Sequence, residues 1–311
     1  MSRSPRKIII DTDPGQDDAI AILLAVASRE VEVDAITTVA GNVPQPLVTD
    51  NALSLLALAG REDIRVYRGC ERPLLRPLYT AEYVHGPSGV DGADLPDPTV
   101  GVHSTHAVDL IVDTCLASDD STVTLCPLGP LTNIAMAIAK EPAIVPKIAE
   151  ILWMGGAFDE SGNTTEVAEF NAYVDPHAAH VVFTSGVPLT IFPLDVTHRA
   201  LMFPRHVEAL ADHATPVADA AAGMIRFYEK YDIDKYEIEG APMHDPCVIA
   251  YCIDPTLFSG TPHHVLVDTT HEETIGNTYI DDSAGEANAT VITDVDAERF
   301  FDLVVQRIGS L

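Results

Sequence analysis

The acidic stretch at residues 11–18 (DTDPGQDD) limits the folds open to this chain more than any other feature. It places four carboxylates within eight residues, around a Pro-Gly turn. The run before it, residues 7–10 (KIII), is apolar and β-branched, which is typical of a strand. Residues 19–27 are apolar throughout and predict a buried helix. The acids therefore lie where a strand ends and a helix begins, which in an open α/β sheet is the edge that binds ligands.

The crowding of these four acids favours a cation site. Like charges at a half-buried edge cost free energy unless a cation neutralises them. Because every hard ligand in the stretch is an oxygen, the pattern favours Ca²⁺ or Mg²⁺ over zinc. A plain helix N-terminus is the alternative, since the helix dipole and capping favour acids in a first turn. That alternative accounts for one or two of the four acids.

Four strand-like segments each end in a polar or glycine-rich turn. The turns are residues 11–18, 41–42, 127–129 and 154–156. Helical patterns separate the strands, and this alternation predicts a parallel sheet with helices on both faces. We therefore expect an α/β fold with an open, mostly parallel sheet and a Rossmann-like core, in which all four turns meet at one edge.

Two regions depart from the βαβ pattern. Residues 72–105 are rich in Pro and Gly and have no helical period, which predicts a long loop over the ligand-binding edge. A simple surface connection is the alternative. Near the C-terminus, residues 264–268, 277–281 and 289–294 predict short strands of a meander, and residues 296–308 predict a closing helix. No linker divides the chain, so we expect a single domain over residues 1–311.

The charge of the chain limits which molecules it can bind, and its cysteine content indicates the cellular compartment. Lys plus Arg total 18 against 47 Asp plus Glu, which argues against nucleic acid and anionic membranes as partners. A lysine-poor, acidic surface also fits work in high salt, where self-repulsion is screened. The five cysteines lack a CxxC pair and are typical of core residues in a reducing compartment. With no signal-type or membrane-spanning run, the sequence predicts a cytoplasmic protein.

Five motifs in chain order resemble the nucleoside hydrolases of the inosine-uridine preferring type. They are DTDPGQDDA at 11–19, ITTVAGN at 36–42, PLGPLTNIA at 127–135, EFN at 169–171 and HDP at 244–246. The resemblance extends to DVDAERFFDL at 294–303, and the combination is far more specific than the first motif alone. It implies the nucleoside hydrolase fold and hydrolysis of the N-glycosidic bond of ribonucleosides to free base and ribose.

The resemblance also implies a Ca²⁺ ion at the bottom of the pocket. Its carboxylate ligands would be Asp13, Asp18 and Asp245, and the backbone carbonyl of Leu128 would be a fourth ligand. The ribose 2′- and 3′-hydroxyls and one water would complete the shell, in keeping with the six to eight oxygens that Ca²⁺ takes. Asp11 is left as support behind these ligands.

By the same resemblance, Asp13 is also the general base that takes a proton from the attacking water. The transition state is oxocarbenium-like, as in glycoside hydrolysis generally, and attack from the metal face predicts inversion. The expected ribose contacts are five residues with acceptor-rich or packing side chains: Asp17, Asn42, Met154, Glu169 and Asn171. For Met154 an ordinary core position is the alternative.

Three residues are expected near the leaving base. His244 corresponds to a histidine thought to protonate that base, and its alternatives are a helix-opening residue or a packed core histidine. His85 lies in HGPSGVDG, which resembles a loop that closes over substrate; the alternative is a solvent-exposed loop histidine. Tyr228, with Tyr231, falls where relatives place a mobile helix, and both are equally typical of core aromatics. The preferred base, purine or pyrimidine, is open.

Two other functions fit parts of the sequence. An aspartyl-nucleophile phosphatase also begins with DxD after a first strand, but it leaves the motifs at 169–171 and 244–246 without roles. A non-catalytic nucleoside-binding protein would be expected to lack a catalytic residue, whereas all the expected ones are present. Resemblance further implies a homodimer or homotetramer that acts on a small ribonucleoside with Ca²⁺ as cofactor.

Overall fold

The computed structural model describes residues 4–236 and 240–311, with the side chains of residues 231–236 left out. Its strands are β1 (Arg6–Thr12), β2 (Val31–Thr38), β3 (Arg65–Arg68), β4 (Val123–Pro127), β5 (Ile148–Met154), β6 (Leu189–Phe192), β7 (Leu201–Met202), β8 (Ala241–Pro242), β9 (Phe258–His263), β10 (Val265–Val267), β11 (Thr278–Ile280) and β12 (Ala289–Val295). Within these described residues β7 pairs with β8 and β10 pairs with β11, both antiparallel. The other eight strands form the main sheet.

The main sheet has the order β3-β2-β1-β4-β5-β6-β12-β9. All its pairings are parallel except that of β9 with β12, so the predicted parallel sheet is confirmed. The chain first moves outward from β1 to β3 and then returns to place β4 on the other side of β1. This reversal opens a crevice at the carboxyl ends of β1 and β4, where open α/β sheets bind ligands.

Helices follow most of the strands. They are α1 (Gln16–Val26), α2 (Gln45–Leu58), α3 (Glu82–His85), α4 (Ala107–Ala117), α5 (Thr132–Lys140), α6 (Phe170–Val174), α7 (Pro176–Phe183), α8 (Leu194–Thr197), α9 (Pro204–Ala211), α10 (Pro216–Tyr236), α11 (Pro246–Ile253) and α12 (Ala297–Gly309). Two 3-10 turns, Pro142–Lys147 and Pro255–Leu257, complete the list for the described residues.

The helices cover both faces of the sheet, as the buried side chains of β1 show. Ile8 and Ile10 belong to a core that contains residues of α1, α2, α10, α11 and α12. Ile9, which points to the other face, belongs to a core built with α4, α5 and α7. Since all three isoleucines are at most 2% exposed, the apolar run of β1 reflects burial on both sides. The expected helices on both faces are confirmed.

The long segment between β3 and α4 is irregular except for the single turn of α3, in agreement with the sequence. The C-terminal region is more ordered than a meander. The first two predicted strands form the β10–β11 hairpin, whereas β12 joins the main sheet parallel to β6. Val291 and Ile292 are adjacent and both are buried, which is what a strand with covered faces requires.

Among the described residues, no helix combines the length and the apolar character needed to cross a membrane.

Candidate active site

The acidic stretch connects β1 to α1 at the crevice. β1 ends at Thr12, and α1 begins at Gln16 with Gly15 at its N-cap. The four acids of the stretch are at most 6% exposed. Asp11 pairs with Pro127 of β4, and its carbonyl accepts a hydrogen bond from the amide of Leu128 at 2.7 Å. The turn after β4 is thereby fixed beside the turn after β1.

The carboxylate of Asp13 lies in a cradle formed by two glycines. An ideal Cβ at Gly41 would lie 1.9 Å from Asp13 Oδ2, and one at Gly129 would lie 2.2 Å from Oδ1. The backbone amide of Asn42 donates to Asp13 Oδ2 at 2.7 Å. Both glycines lie in turns singled out from the sequence, and each is needed here because only a hydrogen fits beside the carboxylate.

Asp18 is held by donors from three directions. Its Oδ1 accepts from the hydroxyl of Thr12, and its Oδ2 accepts from the amide of Gly15 at 2.9 Å. The side-chain amide of Asn42 also donates to Asp18 Oδ2, at 3.1 Å. Asn42 therefore contacts both Asp13 and Asp18, a role in organising the acids that the sequence did not reveal.

Asp245 arrives from far along the chain, directly before α11. Asp17, Asp18 and Asp245 each offer a carboxylate oxygen within 4.8 Å of the other two, and all three residues are buried. The expected ligand set contains Asp13 in place of Asp17. The two sets overlap in Asp18 and Asp245, so the structure brings the N-terminal acids together with the distant one.

The buried acids repel one another. Burial raises the pKa of Asp13 well above its ordinary value, and the charges of Asp18, Asp17 and Asp11 raise it further. Burial also raises the pKa of Asp245 well above its usual range, with Asp17, Asp18 and Asp13 adding to the effect. Burial raises the pKa of Asp18 too, against its hydrogen bonds.

No ion pair between described residues involves Asp13, Asp18 or Asp245. These buried carboxylates repel one another, and no described Lys or Arg forms an ion pair that offsets their charge. A divalent cation removes this repulsion, and a set of oxygen donors is the chemistry that a hard cation prefers. The residues present therefore fit a bound cation.

The carbonyl of Leu128 faces the side chain of Asn171. Asn171 Nδ2 donates to Leu128 O at 2.7 Å and to Met154 O at 3.1 Å. The amide thus links the turns after β4 and β5. A carbonyl oxygen has two lone pairs, so this contact leaves Leu128 O able to bind one further partner.

Glu169 caps α6 and organises the neighbouring loop. Its carboxylate accepts from the amides of Asn171 at 2.8 Å, Gly156 at 2.9 Å and Ala172 at 3.0 Å. Burial nevertheless raises the pKa of Glu169 to about 7, because desolvation outweighs these three bonds. This acid is therefore able to exchange a proton near neutral pH.

His85 and His244 are both buried, and each ring nitrogen Nδ1 has a hydrogen-bond partner. His85 Nδ1 is 2.7 Å from Gln16 Oε1, and its ring stacks on Tyr228 with centroids 5.7 Å apart. His244 Nδ1 is 2.7 Å from the hydroxyl of Thr197. Burial lowers the pKa of His85 to about 3, and burial together with His198 and His85 lowers that of His244 well below its usual value. The alternative of an exposed loop histidine is wrong for His85, which is 6% exposed.

One pocket collects most of the expected site residues. Ten of them line it: Asp17, Asn42, His85, Leu128, Met154, Glu169, Asn171, Tyr228, His244 and Asp245. Asp13 and Asp18 do not line the pocket but contact Asn42, which does. The long loop contributes Ala81, Tyr83 and Val84 as well as His85, so it lies over the edge as predicted. The side chain of Tyr231 lies outside the described residues.

Sequence reasoning missed several pocket residues. Asn163 and Thr164 come from the loop after β5, Phe170 from α6, and His198 from the end of α8. His198 lies 5.8 Å from His244 between ring centroids. The sequence did carry signals for three of these residues: Asn163 and Thr164 follow a strand-end turn, and Phe170 belongs to the EFN motif. His198 had none, because nothing in its local sequence marks it.

Asp11 lies behind the site, as expected for a supporting residue. Its Oδ1 accepts from Thr37 at 2.6 Å and from Asn133 at 2.7 Å, and its buried Oδ2 has no partner among the described residues. Burial raises the pKa of Asp11 to about 7 against these bonds.

Comparison with known proteins agrees with this geometry. The family model described as inosine-uridine preferring nucleoside hydrolase matches residues 8–302. A pyrimidine-specific ribonucleoside hydrolase, RihA of Photobacterium profundum, is 44% identical over 309 residues, which cover 98% of this chain and 99% of that protein.

Solved structures give the same result. A plant nucleoside hydrolase aligns with a TM-score of 0.92 and 34% identity, covering 99% of this chain and all of that one. A purine-preferring ribonucleoside hydrolase from Gardnerella vaginalis aligns with a TM-score of 0.93 and 32% identity, covering 98% of each chain. The fold expected from the sequence is confirmed by both.

Proposed function

Because the chain belongs to the inosine-uridine preferring nucleoside hydrolase family and is an N-ribosyl hydrolase, we propose that it cleaves ribonucleosides with a preference for pyrimidine bases. The observation that carries this proposal is one pocket that places buried carboxylates, ribose-type hydrogen-bonding groups and three histidines together. The pyrimidine preference rests on the 44% identity to RihA, against 32% for the purine-preferring structure. Family membership favours this activity over the phosphatase and the non-catalytic binding protein.

We further propose that the acids hold Ca²⁺ through the carboxylates of Asp13, Asp18 and Asp245 and the carbonyl of Leu128. The burial of these carboxylates, their mutual repulsion and the oxygen-only donor set support this assignment. When bound, the ion supplies positive charge that lowers the pKa of a coordinated water and orients vicinal hydroxyls. Asp17 also lies within reach of Asp18 and Asp245, so its role as a ribose contact needs a test against a role as ligand. The test is the Ca²⁺ affinity of Asp13→Asn and of Asp17→Asn. Asp13→Asn should weaken Ca²⁺ binding, whereas Asp17→Asn should leave it largely unchanged.

Asp13 is proposed as the general base that accepts a proton from the attacking water. Its position is set by the amide of Asn42 and by the two glycines, so the carboxylate has little freedom to turn away. Asp17, Asn42, Met154, Glu169 and Asn171 are proposed to hold the ribose, since all five line the pocket. Such positioning lowers the barrier by fixing the reacting carbon near the attacking water. Attack by that water on the face opposite the leaving base predicts inversion of configuration at the reacting carbon.

His244 is proposed to protonate the leaving base, with His85 and Tyr228 beside that base. Because burial lowers the pKa of His244, this role requires that the bound nucleoside stabilise the protonated imidazole. The three side chains line one pocket, and the stack of His85 on Tyr228 offers a flat surface next to His244. His244→Ala should slow uridine hydrolysis far more than that of a riboside with a nitrophenol leaving group, which needs no acid. Equal losses on both substrates would remove the acid role.

The activity is tested by the release of reducing sugar from uridine, cytidine, inosine and adenosine. We expect turnover of all or some of these, with the largest kcat/KM for a pyrimidine nucleoside. Asp13→Asn should abolish it, while the exposed Asp34→Asn serves as a charge-matched control. Phosphate release from a phosphate ester without any ribose release would refute the hydrolase, and tight nucleoside binding without turnover would favour a sensor.

We propose a cytoplasmic location, a single domain over residues 1–311 and a homodimer or homotetramer. All five cysteines are free thiols, which suits a reducing compartment. The main sheet takes strands from both ends of the chain, which supports one domain. The assembly is tested by light scattering of the eluting protein, and a monomer at all concentrations would refute it.

A further inference from the structure

A second cavity, separate from the pocket described above, lies at the carboxyl end of β3. It has a volume of about 670 Å³ and lies next to the first turn of α4. Its wall includes two arginines and two histidines: Arg68, Arg72, His103 and His106. In a chain with 18 basic and 47 acidic residues, this grouping of cationic and donor side chains is unusual. We call this cavity the β3 groove.

Within the part of the chain that the structure describes, the two arginines of the β3 groove lack partners of opposite charge. No ion pair between described residues involves either of them. Arg68 is half-buried, and its buried Nε has no hydrogen-bond partner among the described residues. A buried donor without an acceptor is costly, and a bound ion or water commonly explains it. One carboxylate, that of the exposed Glu71, also lines the groove.

The two histidines add donors of defined tautomer. His103 Nδ1 accepts from the amide of Thr105 at 3.2 Å, and His106 Nδ1 accepts from the amide of Val108 at 3.2 Å. When Nδ1 accepts, the proton of a neutral imidazole is on Nε2, which can then only donate. His106 is the N-cap of α4, an eleven-residue helix, so the positive end of a helix dipole adds to the field.

We propose that the β3 groove binds the phosphoryl group of an organic phosphate monoester. Two guanidinium groups and two imidazole N–H groups supply more donors than a carboxylate can accept, and they suit the three terminal oxygens of a phosphoryl group. Pro73, Leu74, Val102 and Met136 form an apolar part of the same wall, which accommodates the organic substituent. This site is independent of the nucleoside reaction and shares no lining residue with its pocket.

The probe that tests this proposal is phenyl phosphate, because it carries a phosphate monoester and lacks the ribose hydroxyls that the first pocket would bind. Calorimetric titration at low salt should show saturable binding that weakens as salt screens the charges. Inorganic phosphate should bind more weakly, since it lacks the organic part, and phenol should not bind, since it lacks the charge.

The variants locate the site. Arg68→Met combined with Arg72→Met should weaken phenyl phosphate binding at least about tenfold, as expected for lost charge-assisted bonds. Arg65→Met is the matched control, because Arg65 is an exposed arginine at the other end of β3. It should change the affinity less than about twofold, a change too small for a lost charge-assisted bond. Ribose release from uridine should be the same in all variants, which shows that they are folded.

Equal affinity in the wild type, the double variant and the control would overturn the proposal. So would phenol binding as tightly as phenyl phosphate, or the absence of saturable phenyl phosphate binding to the wild type.

Discussion

Replacing Gly41 by Ala tests whether the position of the Asp13 carboxylate controls the reaction. The new Cβ would lie 1.9 Å from Asp13 Oδ2, whereas real Cβ contacts are essentially never shorter than 3.0 Å. The carboxylate must therefore move by about 1.1 Å, or the backbone of the turn must shift by a similar amount. A misplacement of about 1 Å can lower a rate by about 100-fold, equivalent to about 2.7 kcal/mol of barrier.

The assay is kcat/KM for ribose release from the best nucleoside, together with Ca²⁺ affinity and the melting temperature. Gly129→Ala approaches the other oxygen at 2.2 Å and should give a similar but smaller loss. Gly101→Ala is the matched control, since its Cβ would meet no atom within 4 Å. A Gly41→Ala protein with wild-type activity would refute the argument. A folded Gly41→Ala protein that has lost activity, beside an unaffected Gly101→Ala, would support it.

Three further predictions follow from the site. A ligand at 100 times its Kd stabilises the folded state by about 2.7 kcal/mol, so chelation of Ca²⁺ should lower the melting temperature by a few degrees. Asp245→Asn should abolish that response to chelation. An unchanged melting curve of the wild type would contradict the cation site. Burial raises the pKa of Glu169 in the folded protein to about 7, above its ordinary value of 4.5, so the folded state binds more protons between these two values. The free energy of unfolding should therefore fall as pH rises through that window. Glu169→Gln should remove about 3 kcal/mol of this pH dependence in urea unfolding at pH 4.5 and 7.5, and an identical slope in both proteins would contradict it. Gln16 Nε2 donates to His85 O at 2.9 Å and to Asp91 O at 3.1 Å, and so holds α3 and the loop after it over the pocket. Gln16→Leu should release this segment and raise KM about tenfold with little change in kcat. A loss confined to kcat would contradict this role of Gln16 in substrate binding.

The sequence predicted the sheet and most of the pocket because the signals were local. β1 is apolar on both faces and is followed by acids, so its position in the sheet and the chemistry at its end could be inferred together. The motif at 244–246 identified Asp245, although nothing in composition or periodicity could tell how close it lies to Asp18. Only the packing of α11 against α1 brings these two acids within reach.

Other features could not be predicted because they depend on packing between distant segments. His198 enters the pocket since α8 follows β6 and turns its end toward His244, which is 46 positions further on. Asn42 was expected to contact ribose, and its bonds to Asp13 and Asp18 arise from the parallel register of β1 and β2. The inclusion of β12 in the main sheet depends on its pairing with β6 and β9, which short-range periodicity does not encode.

The wide separation of Asp13 and Asp245 along the chain has a consequence during synthesis. The strands β1 to β6 and their helices can form as the chain leaves the ribosome, since domains generally fold from the N-terminus during translation. Throughout this period the acids after β1 remain without their last partner, which follows about 230 residues later. A chain interrupted before α11 lacks both Asp245 and the helix that packs against α1, so a truncated product is expected to be an inactive and unstable target for proteolysis rather than a partly working enzyme.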